Sequence, residues 1–133
     1  MKKKLFSVIF TLILLTNNVV AIEAEIFVQS TVNRASKLLS EDISKEEKIE
    51  KLKIIAKDTV DIKGIGFYTL GSARKNLSDI EKVKYSEKFE KYFLKSFSSR
   101  LSEWTNPELN VISQNIINKK YTIVNSVLKG TED

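Results

Sequence analysis

Apolar residues recur with helical spacing through the first two thirds of the chain, and then the period changes. Phe27, Val28, Thr31, Val32, Ala35, Leu38 and Leu39 fall on one side of a 3.6-residue wheel and predict an amphipathic helix. A short link, Ser40 to Ile43, leads to a second helix that opens at Ser44, with Glu47 three residues on in capping-box spacing. This second helix places Ile49, Leu52, Ile55, Ala56 and Thr59 on one face. So short a link makes the two helices neighbours.

The stretch from Val60 to Gly71 is unusual for its glycines, Gly64, Gly66 and Gly71. Asp61 is placed to cap a short helix, and Gly71 to supply the left-handed residue that ends it. The two glycines inside cost about 1 kcal/mol each relative to alanine. Glycine at that cost points to close backbone approach by another helix; a glycine-rich loop is the alternative. No Gly-Lys-Ser/Thr ending and no preceding strand accompany them, so a phosphate loop is not expected.

Ser78-Asp79-Ile80-Glu81 is a second capping box, and the helix it opens should run to about Glu103, roughly 35 Å of rod. Tyr85, Phe89, Tyr92, Phe93, Phe97, Leu101 and Trp104 cover one broad arc of it, with Val83 and Leu94 at the edge. So large an aromatic side is expected to be buried, in an ordinary core or against a bound apolar ligand. Lys84, Lys88, Lys91 and Lys95 occupy the opposite arc, as a solvated face or a docking row.

Beyond Asn106-Pro107, Leu109 to Ile117 and Tyr121 to Leu128 are rich in Val, Ile and Asn with partial alternation. With Asn118-Lys119-Lys120 between them they predict an antiparallel hairpin. Either register of the second strand buries something, which leaves the inward face open. Lys129 to Asp133 reads as the start of another turn. A two-stranded hairpin is marginal alone and has two open edges. The expectation is therefore a chain shorter than the fold it encodes.

The N-terminus reads as an address. Lys2-Lys3-Lys4 precede an apolar run from Leu5 to Leu15, and small residues follow, as in a secretory signal peptide over residues 1–21 cleaved after Ala21 or Ala24. The run is well short of the ~20 apolar residues that span a bilayer; an uncleaved anchor is the alternative. Residues 22–133 then form a single exported, periplasmic domain. The leader's three lysines leave 19 basic against 17 acidic residues, a balance that does not advertise nucleic acid. With no Cys and no His there is no disulfide, no thiol nucleophile, no Cys/His zinc site and no Ser-His-Asp triad. No cofactor is implied. Asp58 and Asp61 could be cast as an acid/base pair, but a cap and a solvated carboxylate explain them more simply.

In order, then, come a signal peptide, two amphipathic helices, Val60-Asp61-Ile62, Leu70-Gly71 with Arg74 close behind, a capped helix bearing Phe89, Tyr92-Phe93 and Phe97, and a strand pair. This order resembles the MlaC family, periplasmic phospholipid carriers also described as toluene-tolerance auxiliary components of an ABC transport system. The resemblance runs from about Phe27 to Gly130. Ala73 stands where the family often has an aromatic, and the family's further strands, Asp-Ile/Gly-Val-Ser stretch and closing helix have no counterpart in this sequence.

The resemblance implies an α+β fold, with helices packed on one face of a curved antiparallel sheet of nuclear-transport-factor-like or MlaC-like type, here incomplete. It implies a non-enzymatic shuttle exchanging phospholipid between an inner-membrane ABC transporter complex and an outer-membrane lipoprotein/porin complex. Ile62, Ile65, Leu70, Phe89, Phe93, Phe97 and Leu101 are the candidate lipid-binding wall, and Lys84, Lys88, Lys91 and Lys95 the candidate docking row. The competing readings are an exported adaptor that clasps a partner helix with the same aromatic face, and a remnant of the carrier without function of its own.

Overall fold

A computed structural model of the chain describes residues 19–104 and 107–129. Residues 1–18 of the expected signal peptide and the expected turn after Lys129 lie outside the described residues. The chain is α+β. Helix α1 spans Val19–Leu39, α2 Lys45–Thr59, α3 Ile62–Thr69 and α4 Asp79–Leu101, with a 3-10 segment, Gly71–Asn76, before α4. Strands β1, Glu108–Asn118, and β2, Tyr121–Lys129, follow. Both expected cleavage positions, Ala21 and Ala24, fall in the first turns of α1. Among the described residues no helix is long and apolar enough to cross a membrane.

The chain divides into two compact units: residues 19–32 with Glu108–Lys129, and Asn33–Pro107. The second unit is helical, and its helix starts follow the sequence signals. The Ser44 side chain accepts from the Glu47 N–H at 3.1 Å to cap α2. Asp61 does the same for Gly64 at the start of α3, at 2.9 Å. At α4 the box is complete: the Ser78 hydroxyl accepts from the Glu81 N–H, and the Glu81 carboxylate accepts from the Ser78 N–H at 2.8 Å. Gly71, at φ +54°, adopts the left-handed conformation expected after α3.

Two apolar clusters hold this unit together. Leu38, Leu39, Leu52 and Ile55 form one, with Ala35, Ile43 and Leu101 against it. Ala56, Ile62 and Leu94 form the other, lined by Val60, Phe89 and Phe93. Helix α2 thus feeds both clusters, Leu52 and Ile55 the first and the adjacent Ala56 the second. Half-exposed ion pairs tie the helices at their rims, Arg34 to Asp58 at 3.0 Å and Lys57 to Glu90 at 3.0 Å. Exposed pairs of this kind contribute at most about 1 kcal/mol each, so the apolar clusters carry the packing.

The other unit is the hairpin with the N-terminal part of α1. Its register pairs Leu109 with Leu128, Val111 with Ser126 and Gln114 with Val124. Shifts between Val111 and Ser113 and between Ile116 and Asn118 put extra residues, Ile112 and Ile117, into β1. The half-buried positions of β1 accordingly run Leu109, Val111 and then Gln114, changing parity at the first shift. That settles the face that alternation left open. The Gln29 amide joins helix to strand, donating to the Leu109 carbonyl and accepting from the Val111 N–H, both at 3.2 Å.

Leu52 is 1% exposed at the centre of the first cluster. Leu52→Ala is expected to destabilise the helical unit by about 3 kcal/mol, read as a lowered midpoint in urea unfolding followed by circular dichroism; a loss below about 1 kcal/mol would contradict this account of the core.

Candidate functional site

Helix α4 is the platform. Tyr85, Phe89, Phe93 and Phe97 are spaced by four residues, so their rings stack along one flank of the rod. Ring centroids are 5.9 Å apart for Tyr85–Phe89, 6.2 Å for Phe89–Phe93 and 5.3 Å for Phe93–Phe97, with neighbouring planes inclined by 13° to 27°. Phe67 of α3 adds a fifth ring, 6.4 Å from Tyr85. The sequence wheel missed this ring because it belongs to another element.

Glycine sets the spacing between α3 and α4. A Cβ on Gly66 would stand 2.8 Å from Phe89 Cδ1, closer than side chains tolerate. The close helix approach expected from this glycine is therefore real, and Phe89 is the group that approaches. The Tyr85 hydroxyl lies 3.2 Å from the Gly66 carbonyl oxygen and 3.0 Å from Thr69 Oγ1, pinning the end of α3 to α4. Gly64 has a different role: a Cβ there would meet the Asp61 carboxylate that caps the helix.

One expectation is corrected. The aromatic side of α4 is not buried as a whole: its fully buried residues are Leu94 and Ser98. The Ser98 hydroxyl donates back to the Leu94 carbonyl and needs no other partner. Tyr92 is 69% exposed, and Phe97 and Trp104 are each 37% exposed. The physical reason is that α2 and α3 meet α4 along a ridge offset from the rings, at Leu94, and cover only one border of the ladder.

The proposed wall residues therefore have different surroundings. Ile62, Phe89 and Phe93 come together at the second core cluster, with Ile62 buried. Leu101 packs on the first cluster, and Phe97 stacks on Phe93. Ile65 is exposed on α3, and Leu70 is half-buried at its end. Lys84, Lys88, Lys91 and Lys95 are all exposed, and among the described residues none makes an ion pair. Over this span the row is about 16 Å of helix. Asp58 and Asp61 both have structural partners, Arg34 and the Gly64 N–H.

A cleft of about 410 Å³ runs between α3 and α4, with Phe67 and Val83 as apolar lining and Lys63, Lys82, Glu87 and Glu90 among its charged residues. A second, of about 350 Å³, lies over Leu38 and Ile55. Both are open to solvent.

An open aromatic ladder and unpaired cations on one capped rod suit the binding of an amphipathic molecule better than bond chemistry. Comparison with known families agrees: the family described as MlaC protein matches over residues 29–133. The chain belongs to the MlaC family. No curated protein and no solved structure matches it. The family is one of periplasmic phospholipid-binding carriers associated with an ABC transport system rather than of enzymes. In this MlaC-family chain the match begins at Gln29, the residue that latches β1, and takes in the whole of α4.

Two outcomes test the site's scaffold. Gly66→Ala gains helix propensity yet should lower stability by about 1 kcal/mol or more, because Phe89 must move; an unchanged or raised urea midpoint would separate the glycine from the ladder. The second concerns the α4 cap. The Ser78 hydroxyl and then the Ser78 N–H, both donating to the Glu81 carboxylate, hold its pKa below the usual carboxylate range. A carboxyl depressed in the folded state contributes stability above its unfolded pKa and loses it as pH falls through the folded value. Glu81→Gln should therefore remove part of the acid sensitivity of urea unfolding between about pH 7 and pH 3; identical pH profiles would refute the linkage.

Proposed function

We propose that this chain is a periplasmic phospholipid shuttle, exported by its N-terminal signal sequence, that carries lipid between an outer-membrane lipoprotein/porin complex and an inner-membrane ABC transporter complex. The observation that carries the reading is the stacked, partly open ladder Tyr85–Phe89–Phe93–Phe97 in a chain of the MlaC family. Phe89, Phe93 and Phe97 form the lipid-facing wall, with Ile65, Leu70 and Leu101 at its margins and Ile62 supporting it from the core.

The energetics favour such a division of labour. Two acyl tails carry roughly 30 methylenes, and at about 0.8 kcal/mol each their exposure to water costs on the order of 20 kcal/mol. Spontaneous release is negligible on that scale, so transfer requires docking against a membrane complex. The unpaired row Lys84, Lys88, Lys91 and Lys95 supplies a positive field for an acidic partner surface or for lipid phosphate, and lysines in this state steer encounters more than they add affinity. No step in carrying lipid calls for a nucleophile or a general base.

Expression of the full chain, purification from the periplasm and native mass spectrometry test the reading. The expected species lacks residues 1–21 or 1–24 and carries a phospholipid-sized adduct. Phe97→Asp places a charge on the ladder at a ring outside both core clusters. It should remove the adduct while far-ultraviolet circular dichroism stays unchanged. Lipid retained by the folded variant would take Phe97 out of the wall, and a lipid-free wild-type protein would favour the adaptor reading.

A further inference from the structure

Every lysine of α2 and α3 has a partner. Lys45, Lys51, Lys53 and Lys57 are in ion pairs, Lys48 donates to the Leu39 carbonyl, and Lys63 lies over the Phe67 ring. On α4 this holds for Lys82, paired with Asp79, and then stops. Lys84, Lys88, Lys91 and Lys95 are exposed, and among the described residues none is paired. The nearest carboxylates leave them so. Glu81 is turned back onto Ser78 as its cap, and Glu87, exposed beside the row, pairs with neither Lys84 nor Lys91.

The four lysines fall within an arc of about 60° of the helix, so their ammonium groups can all reach one plane laid along the rod. Ile80 and Tyr92, 81% and 69% exposed, flank that arc, one on each side. Ile80 stands one turn before Lys84, and Tyr92 is a surface neighbour of both Lys88 and Lys95. Such an arc belongs to the outside of the fold whatever packs elsewhere, because an apolar element laid over it would strip the water from four unpaired ammoniums.

We propose that this arc docks on the surface of a bilayer that contains anionic phospholipid, with the four ammoniums among the lipid phosphates and Ile80 and Tyr92 at headgroup depth. The proposal rests on the shuttle reading for the row's purpose and narrows its partner to one. Three observations choose a lipid surface over an acidic protein. The row is lysine throughout, although the chain uses arginine at Arg34, Arg74 and Arg100. A planar guanidinium fork suits carboxylates held in fixed positions, whereas an ammonium on a long stem suits phosphates that move. The row is straight and shares one plane, so a flat charged layer meets all four members at once. Finally, a tyrosine and an aliphatic side chain at the margins of a cationic arc are what an interfacial helix places at the headgroup boundary. Docked in this way, α4 turns its ring ladder away from the bilayer, so the contact holds the carrier at the membrane and leaves the ladder to its lipid.

Co-sedimentation of the protein purified from the periplasm, with vesicles of equal parts phosphatidylglycerol and phosphatidylcholine, tests this. At about 0.01 M salt, where the screening length is about 30 Å, the chain should pellet with these vesicles and stay in solution with pure phosphatidylcholine. Lys88→Gln combined with Lys91→Gln should weaken binding by about 20-fold or more, at about fivefold for each lysine near an anionic surface. The same loss of charge in the hairpin turn, Lys119→Gln with Lys120→Gln, should cost only a small part of that. No binding to the anionic vesicles, equal binding to both kinds of vesicle, or equal losses in the two double variants would each overturn the proposal. The shuttle reading is judged separately, by the phospholipid adduct in native mass spectrometry. An adduct without vesicle binding removes this proposal alone, and vesicle binding by a lipid-free protein removes the shuttle while keeping the surface contact.

Discussion

How little side chain stands between α3 and α4 at one point governs the arrangement of the helical unit. Gly66 offers no Cβ, so the Phe89 ring sits against its backbone, and the Tyr85 hydroxyl reaches the same residue's carbonyl. With α3 held there, Ile62 is set against Ala56 and Leu94 in the second core cluster. The close contact leaves the next rings along the helix, Phe93 and Phe97, stacked on one another and only partly covered. A larger residue at Gly66 would turn the ladder's second rung and, through it, the rest. Glycine in a helix is a local loss that is offset by a tertiary gain, and the gain here is the placement of a row of rings.

The local signals were legible wherever one residue acts on its own backbone. Both serine caps, the Asp61 cap and the left-handed Gly71 follow from side-chain chemistry within a few residues, and each is where the spacing put it. Family membership was legible from the order of elements and the aromatic spacing of α4, although no single motif is specific. What the wheel could not give was how far the arc is covered. Leu94, at its edge on the wheel, proves to be the most buried apolar residue of the helix, because coverage depends on where α2 and α3 arrive and not on the hydrophobicity of α4 itself. The hairpin shows the same division. Its strands were readable, but the inward face was not, since the insertion at Ile112 changes parity within one strand. Gln29 carried no visible signal at all: a polar residue on an amphipathic helix looks solvated until a strand edge is placed beside it.

Charge and aromaticity divide α4 lengthwise, and the two halves constrain one another. The rings need to leave water, which requires something to cover them; the four lysines need to remain in water or meet an acidic surface. A rod with both demands sits stably only at a boundary, between an apolar occupant on one side and solvent or a polar partner on the other. An ordinary core helix would be covered by its own chain on the ring side. Here α2 and α3 engage the neighbouring ridge, and Tyr92 and Phe97 remain accessible. In the proposed reading, acyl chains on the ladder would satisfy the apolar demand without displacing the lysines, leaving the same helix able to meet a docking partner. A partner helix laid on the rings would satisfy the apolar demand equally well, but it would leave the phosphate-sized positive field without an assigned role. It is the joint requirement, and neither half alone, that favours an amphipathic ligand over a purely apolar or a purely acidic one.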